Sequence, residues 1–214
     1  MDIFDLFCAA RNDERAAAMS AYMKNQFEFL GIPKPERTAL AKDFLRGKKA
    51  EKTIDWDFVD QCFARPEREF QYLALEYLFL VKARMGLDAL PRLERLVAVR
   101  SWWDTVDSLS SLLGDILLHF PEARQTEAPV WINCYNIWFR RVSIIFQLKY
   151  KAQTDTNLLS RAILRNCTTR EFFLNKAIGW ALREYSKTDP DWVRDFVAHH
   201  KLNALSVREA SKYI

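Results

Sequence analysis

The chain has 214 residues, half of them hydrophobic, with 5 Gly, 7 Pro and a formal net charge of +4. That length fits one sizeable domain or a short repeat array with a substantial core, and scarce Gly and Pro beside abundant helix formers argue for an all-α fold over turn-rich sheet. No zinc site or disulfide framework is indicated, because Cys8, Cys62, Cys134 and Cys167 lack any close C-x-x-C spacing and read as reduced, mostly packed thiols.

The N-terminal run "MDIFDLFCAARNDE" places acids where a secretory signal needs an apolar stretch. Nothing approaches the about 20 apolar residues of a spanning helix, so a cytoplasmic protein with no membrane partner is expected. "DERAAAMSAYMKNQ", "ERTALAKDFLRGK" and "WDFVDQCFAR" then read as helices without regular spacing, a helical cap over residues 1–60.

From there a repeat sets in. Pro66, Ser101, Asn136 and Glu171 are spaced by 35 residues each, and each introduces a long apolar-periodic run: "EREFQYLALEYLFLVKA", "SWWDTVDSLSSLLGDILL", "NIWFRRVSIIFQLKYK" and "REFFLNKAIGWALREYSK". Pro66 suits a first helical position, and Ser101, Asn136 and Thr169 suit caps. A helix-pair repeat of this period over residues 61–214 marks an α-solenoid, in which each pair buries its face against its neighbours and the array curves around a concave groove. The whole chain, 1–214, is expected to be one such domain, with the helical pattern running to Ile214.

Charge is uneven along this array. Residues 136–187 hold ten Lys and Arg against three acids, a net +7 that leaves the rest of the chain at −3. A one-sided positive field suits a polyanion, though a merely solvated helical surface produces the same count. His119, His199 and His200 share no metal spacing, and neither a glycine-rich phosphate loop nor a G-x-S-x-G elbow occurs, so neither metal nor cofactor is expected.

Superposing the long helices at the 35-residue period puts Trp103, Asp107, Arg141 and Trp180 within an arc of about 100°. Arg68, Gln71, Tyr72, Trp138, Phe173 and Lys176 fall on the same side. The adjacent core side takes Trp102, Leu109, Leu113 and Ile116, then Ile137, Ile144 and Leu148, then Phe172, Gly179 and Leu182. Each member also has a plainer reading, as tryptophans packed between repeats and as a structural Asp107–Arg141 ion pair. Their convergence is what favours a functional surface.

At these residues the sequence resembles the AlkD family of bacterial DNA alkylation-repair glycosylases, built from HEAT-like repeats. The resemblance covers most of the chain, through "AYMKNQFEFLGIPKPER", "PEREFQ", "SWWDTVDS", "NIWFRRVSIIFQLKYK", "EFFLNKAIGWALREYSKTDP" and "LSVREA". It implies a cofactor-free, monofunctional DNA glycosylase of base excision repair that releases N3- and N7-alkylated purines from double-stranded DNA and acts as a monomer. The family's essential carboxylate corresponds to Asp107, its groove tryptophans to Trp103 and Trp180, its cleft arginine to Arg141 and a cleft tyrosine to Tyr22. Arg141 suits a phosphate beside the lesion, with Lys149, Lys176 and Arg183 as further backbone contacts. Pro33 and Lys34 depart from the small polar residues of similar sequences before "PER", which puts a DNA-backbone contact at that loop in doubt. The competing expectation is a non-catalytic HEAT-repeat scaffold for DNA or protein.

Overall fold

A computed structural model describes residues 2–213. It is all-α, with thirteen α-helices and three short 3-10 turns among the described residues and no strand beyond an isolated bridge between Glu28 and Glu67. By internal contacts the chain divides into two compact units, which meet in sequence between Met85 and Gly86.

The N-terminal unit contains α1 (Ile3–Ala9), α2 (Asp13–Tyr22), α3 (Lys34–Ala50), α4 (Trp56–Ala64) and α5 (Arg68–Val81). Side chains of Asp2, Asn12 and Asp55 cap α1, α2 and α4 by accepting from backbone N–H groups in the first turn. The three helices expected before residue 65 are present, and α1 is an addition within the run whose acids argued against a signal. Its Phe4 and Phe7 pack on Phe70, with ring centroids 5.6 and 5.8 Å away. Glu69, fully buried, accepts from the N–H groups of Leu30, Gly31 and Ile32 at 2.9, 2.8 and 3.1 Å. Gly31 has φ +83°, and a Cβ there would lie 2.2 Å from the Asn12 carbonyl, so only glycine fits that turn. Pro33 stands at the N-cap of α3, where the helix asks nothing of its missing N–H.

The C-terminal unit contains α6 (Leu90–Ala98), α7 (Trp103–His119), α8 (Pro121–Asn133), α9 (Ile137–Ile145), α10 (Thr156–Asn166), α11 (Phe172–Tyr185), α12 (Pro190–His199) and α13 (Ala204–Ala210). One layer runs α7 on α9, α9 on α11 and α11 on α13, while α6, α8, α10 and α12 back it. Its core joins Ile144, Ile145, Leu159, Ile163, Leu174 and Leu182, and Trp180 packs partly buried against it. Gly114 permits the close approach of α7 to the end of α9, because a Cβ there would lie 2.1 Å from the Phe146 carbonyl.

The long helices start at Arg68, Trp103, Ile137 and Phe172, which are 35, 34 and 35 residues apart. The period is therefore real, but the step from α7 to α9 is one residue short. Several expected positions shift as well. Asn136 caps α9 as expected, whereas the caps of α7 and α11 are Trp102 and Glu171 rather than Ser101 and Thr169, and α5 begins two residues after Pro66. Phe172, expected in the core with Trp102 and Ile137, is 58% exposed, and Phe173 turns inward instead. Arg68 and Gln71, expected on the polar side, are fully buried; Gln71 donates to the carbonyls of Cys62 and Arg65 and so closes the end of α4. Of the four thiols, all free, only Cys62 is buried.

Candidate active site

Four of the expected residues lie on the C-terminal unit's continuous layer. Trp103 opens α7 and Asp107 follows one turn later, so the indole and the carboxylate share one side of the helix. Counted from each helix start, Asp107 on α7, Arg141 on α9 and Lys176 on α11 are all fifth residues. Equivalent positions on adjacent helices face each other, and the short repeat step is what brings Asp107 opposite Arg141.

The pair they form is bidentate. Arg141 Nε donates to Asp107 Oδ1 at 2.7 Å and Nη2 to Oδ2 at 2.8 Å, while Nη1 donates to the backbone carbonyl of Phe173 on α11. Arg141 thus ties three successive helices together around one carboxylate. The guanidinium expected at a phosphate instead points inward. It is only 5% exposed, and its three hydrogen bonds go to Asp107 and to the Phe173 carbonyl.

Asp107 is the outer end of the pair, its side chain 20% exposed against 6% for Arg141. Two of the carboxylate's roughly four lone-pair sites are taken by Arg141, which leaves acceptor capacity toward solvent. Burial pushes its pKa above the ordinary aspartate value. Arg141 pulls it down and Asp104, one turn earlier, adds to the rise.

Aromatic rings support the start of these helices. Trp102, Trp138 and Phe173 form a triangle with centroids 5.6, 4.9 and 5.2 Å apart. Trp138 is buried within it, so this part of the expected polar side is packing. Trp103 and Trp180 are each partly buried.

Cations edge this layer. Lys149 is exposed, and its Nζ donates to Ser111 Oγ at 2.9 Å, one turn beyond Asp107 on the same side of α7. Lys176 and Arg183 lie on α11 and both contact Glu209 on α13, at 3.2 and 2.6 Å. Tyr22 belongs to the N-terminal unit, at the last turn of α2, and is 72% exposed. Sequence reasoning missed Ser111, Glu209 and the Phe173 carbonyl, none of which carries a local signal. A cavity of about 260 Å³ lies at the C-terminal ends of α9 and α11, lined by Ile144, Leu148, Ala181 and Tyr185 among others, and none of the four expected catalytic residues lines it. Among the described residues no group of three or more His, Cys, Asp or Glu is placed to hold a metal ion, and no helix is long and apolar enough to cross a membrane.

A family model for DNA alkylation repair enzymes matches residues 5–214. The chain belongs to that family. A solved structure described as a predicted DNA alkylation repair enzyme from Enterococcus faecalis is similar at 38% identity, covering 95% of this chain and 96% of that chain, with a TM-score of 0.90. No curated protein matches. The family places this chain in the repair of alkylated DNA.

Proposed function

We propose that this protein is a monofunctional DNA glycosylase that hydrolyses the N-glycosidic bond of cationic N3- and N7-alkylpurines in double-stranded DNA. The observation that carries this reading is the Asp107–Arg141 pair, whose carboxylate is fixed from behind by two hydrogen bonds and is the more exposed of the two groups. An alkylated purine cation leaves as a neutral base and needs no general acid. The deoxyribose left behind becomes electron-poor, with oxocarbenium character at C1′. A preset carboxylate stabilises that charge without reorganising, and a free lone pair on Asp107 accepts a proton from the attacking water as its oxygen bonds to C1′.

Arg141 acts through Asp107 by setting its orientation. Trp103 and Trp180 offer faces to the sugar and to the cationic lesion, each contact contributing about 0.5 to 2 kcal/mol. Lys149 and Lys176 supply charge for neighbouring phosphates, and Tyr22 is a further duplex contact. Attack by water rather than by a lysine amine leaves an abasic site in an intact strand.

The test is duplex DNA carrying N7-methylguanine, with chromatographic detection of free base. Release of N7-methylguanine with no strand cleavage, and no release of guanine from the unmodified duplex, is expected. Salt-sensitive binding without any base release would instead support a DNA-binding scaffold.

A further inference from the structure

Glu209 sits at the end of α13, where it meets α11 with its side chain 9% exposed. Oε2 receives Arg183 Nη1 at 2.6 Å and Lys212 Nζ at 3.0 Å, and Oε1 receives Lys176 Nζ at 3.2 Å. Three cations thus surround one acid, an arrangement that leaves a net positive charge at the surface. The Lys212 hydrogen bond, with Lys176 adding to it, holds the carboxyl down to about 2, so Glu209 is ionised at any working pH.

The seat of this acid is closely packed. A Cβ on Gly179 would lie 2.5 Å from the Glu209 Cβ and 3.0 Å from the Ser206 carbonyl, so α13 is pressed against α11 at the residue before Trp180. Ser206 Oγ donates to the Asn175 carbonyl at 2.9 Å and fixes the same contact one turn earlier. Lys176, Trp180 and Arg183 follow at i, i+4 and i+7, within an arc of about 60° of helix α11. Glu209 grips the residues on both sides of Trp180 along that arc.

The two cations are held unequally. Arg183 is the shorter contact and its side chain is 26% exposed, whereas Lys176 makes the longer contact and is 40% exposed. Lys176 can therefore turn one of its donors outward while Arg183 keeps the carboxylate in place. We propose that Glu209 is the positioning residue of this face, anchoring itself on Arg183 and presenting Lys176 beside Trp180 as a preset contact for a DNA backbone phosphate. Of the two α11 cations expected to touch DNA, this assigns the phosphate to Lys176 and the anchoring to Arg183. The inference rests on the DNA reading above.

The experiment measures duplex affinity against salt, and the single-turnover rate of N7-methylguanine release at saturating protein, for the wild type, Lys176→Gln and Glu209→Gln. Lys176→Gln is expected to flatten the slope of log affinity against log salt by about 0.9, the loss of one phosphate contact. Glu209→Gln removes an acid that competes with phosphate, so affinity is expected to rise about threefold. The saturated release rate is expected to fall about tenfold, because Lys176 and Trp180 are no longer set. A merely structural glutamate would not separate affinity from rate in this way. An unchanged salt slope in Lys176→Gln overturns the assignment, as does a Glu209→Gln protein whose affinity and saturated rate both match the wild type. Should Glu209→Gln fail to fold, the Lys176→Gln slope decides. Should the wild type release no base, the glycosylase reading falls, and the same slope still decides this inference.

Discussion

Two carboxylates, the buried Glu69 of the N-terminal unit and the partly buried Asp107 of the C-terminal unit, are satisfied in opposite ways. Glu69 in the N-terminal unit has no exposure and receives three backbone N–H groups from the turn at Leu30–Ile32, so its charge is consumed in fastening a loop to α5. Asp107 in the C-terminal unit receives two hydrogen bonds from one side chain, Arg141, and keeps a fifth of its side-chain surface open. A carboxylate enclosed by backbone donors is a fastening; one gripped from behind and open in front is placed to act on something else. Desolvation is the burden both share, and only Asp107 leaves acceptor sites for a substrate.

Substitutions break or sharpen that contrast. Arg141→Gln has the largest expected effect on stability, about 4 kcal/mol, because it strands a partly buried charge; chemical denaturation reads the stability, and base release should be lost with it. Glu69→Gln is expected to lower stability by about 3 kcal/mol through its lost charge-assisted bonds, yet leave release per folded molecule unchanged. If Glu69→Gln slowed release by folded protein, the distinction between the two carboxylates would fail. Trp180→Ala is expected to slow release about tenfold while the protein stays folded at the assay temperature, as the loss of one ring contact to a cation implies. Unfolding of this variant without a rate defect in the folded fraction would return Trp180 to a packing role.

The smallest effect is in the pH profile. In the proposed reaction release requires ionised Asp107, and burial raises its pKa above the ordinary 3.8, so activity is expected above that raised value and is lost as pH falls through it. The acid limb should therefore lie at higher pH than an unperturbed aspartate would set. An acid limb at or below the ordinary value would mean that Arg141 outweighs burial.

Local periodicity made the helical class, the long helices and their spacing legible, because apolar runs and caps are written in adjacent residues. What one sequence could not fix was the one-residue shortening between α7 and α9. Under a strict 35-residue step Arg141 falls one place short of Asp107 and Phe172 falls into the core; with the true step Arg141 meets Asp107 and Phe173 takes the inward place. The convergence of Asp107 and Arg141 was legible, but the inward turn of the guanidinium was not, because it depends on that register and on the Phe173 carbonyl. Glu69 and Glu209 stayed hidden for a related reason. Their partners are distant in sequence, at Leu30–Ile32 for Glu69 and at Lys176 and Arg183 for Glu209.

The most direct measurement is single-turnover release of N7-methylguanine from duplex DNA by Asp107→Asn beside the wild type, each corrected for folded fraction. Asparagine keeps the shape and loses the charge, and the account predicts a fall of about 10³-fold with DNA binding retained. Equal rates for the two proteins would contradict it.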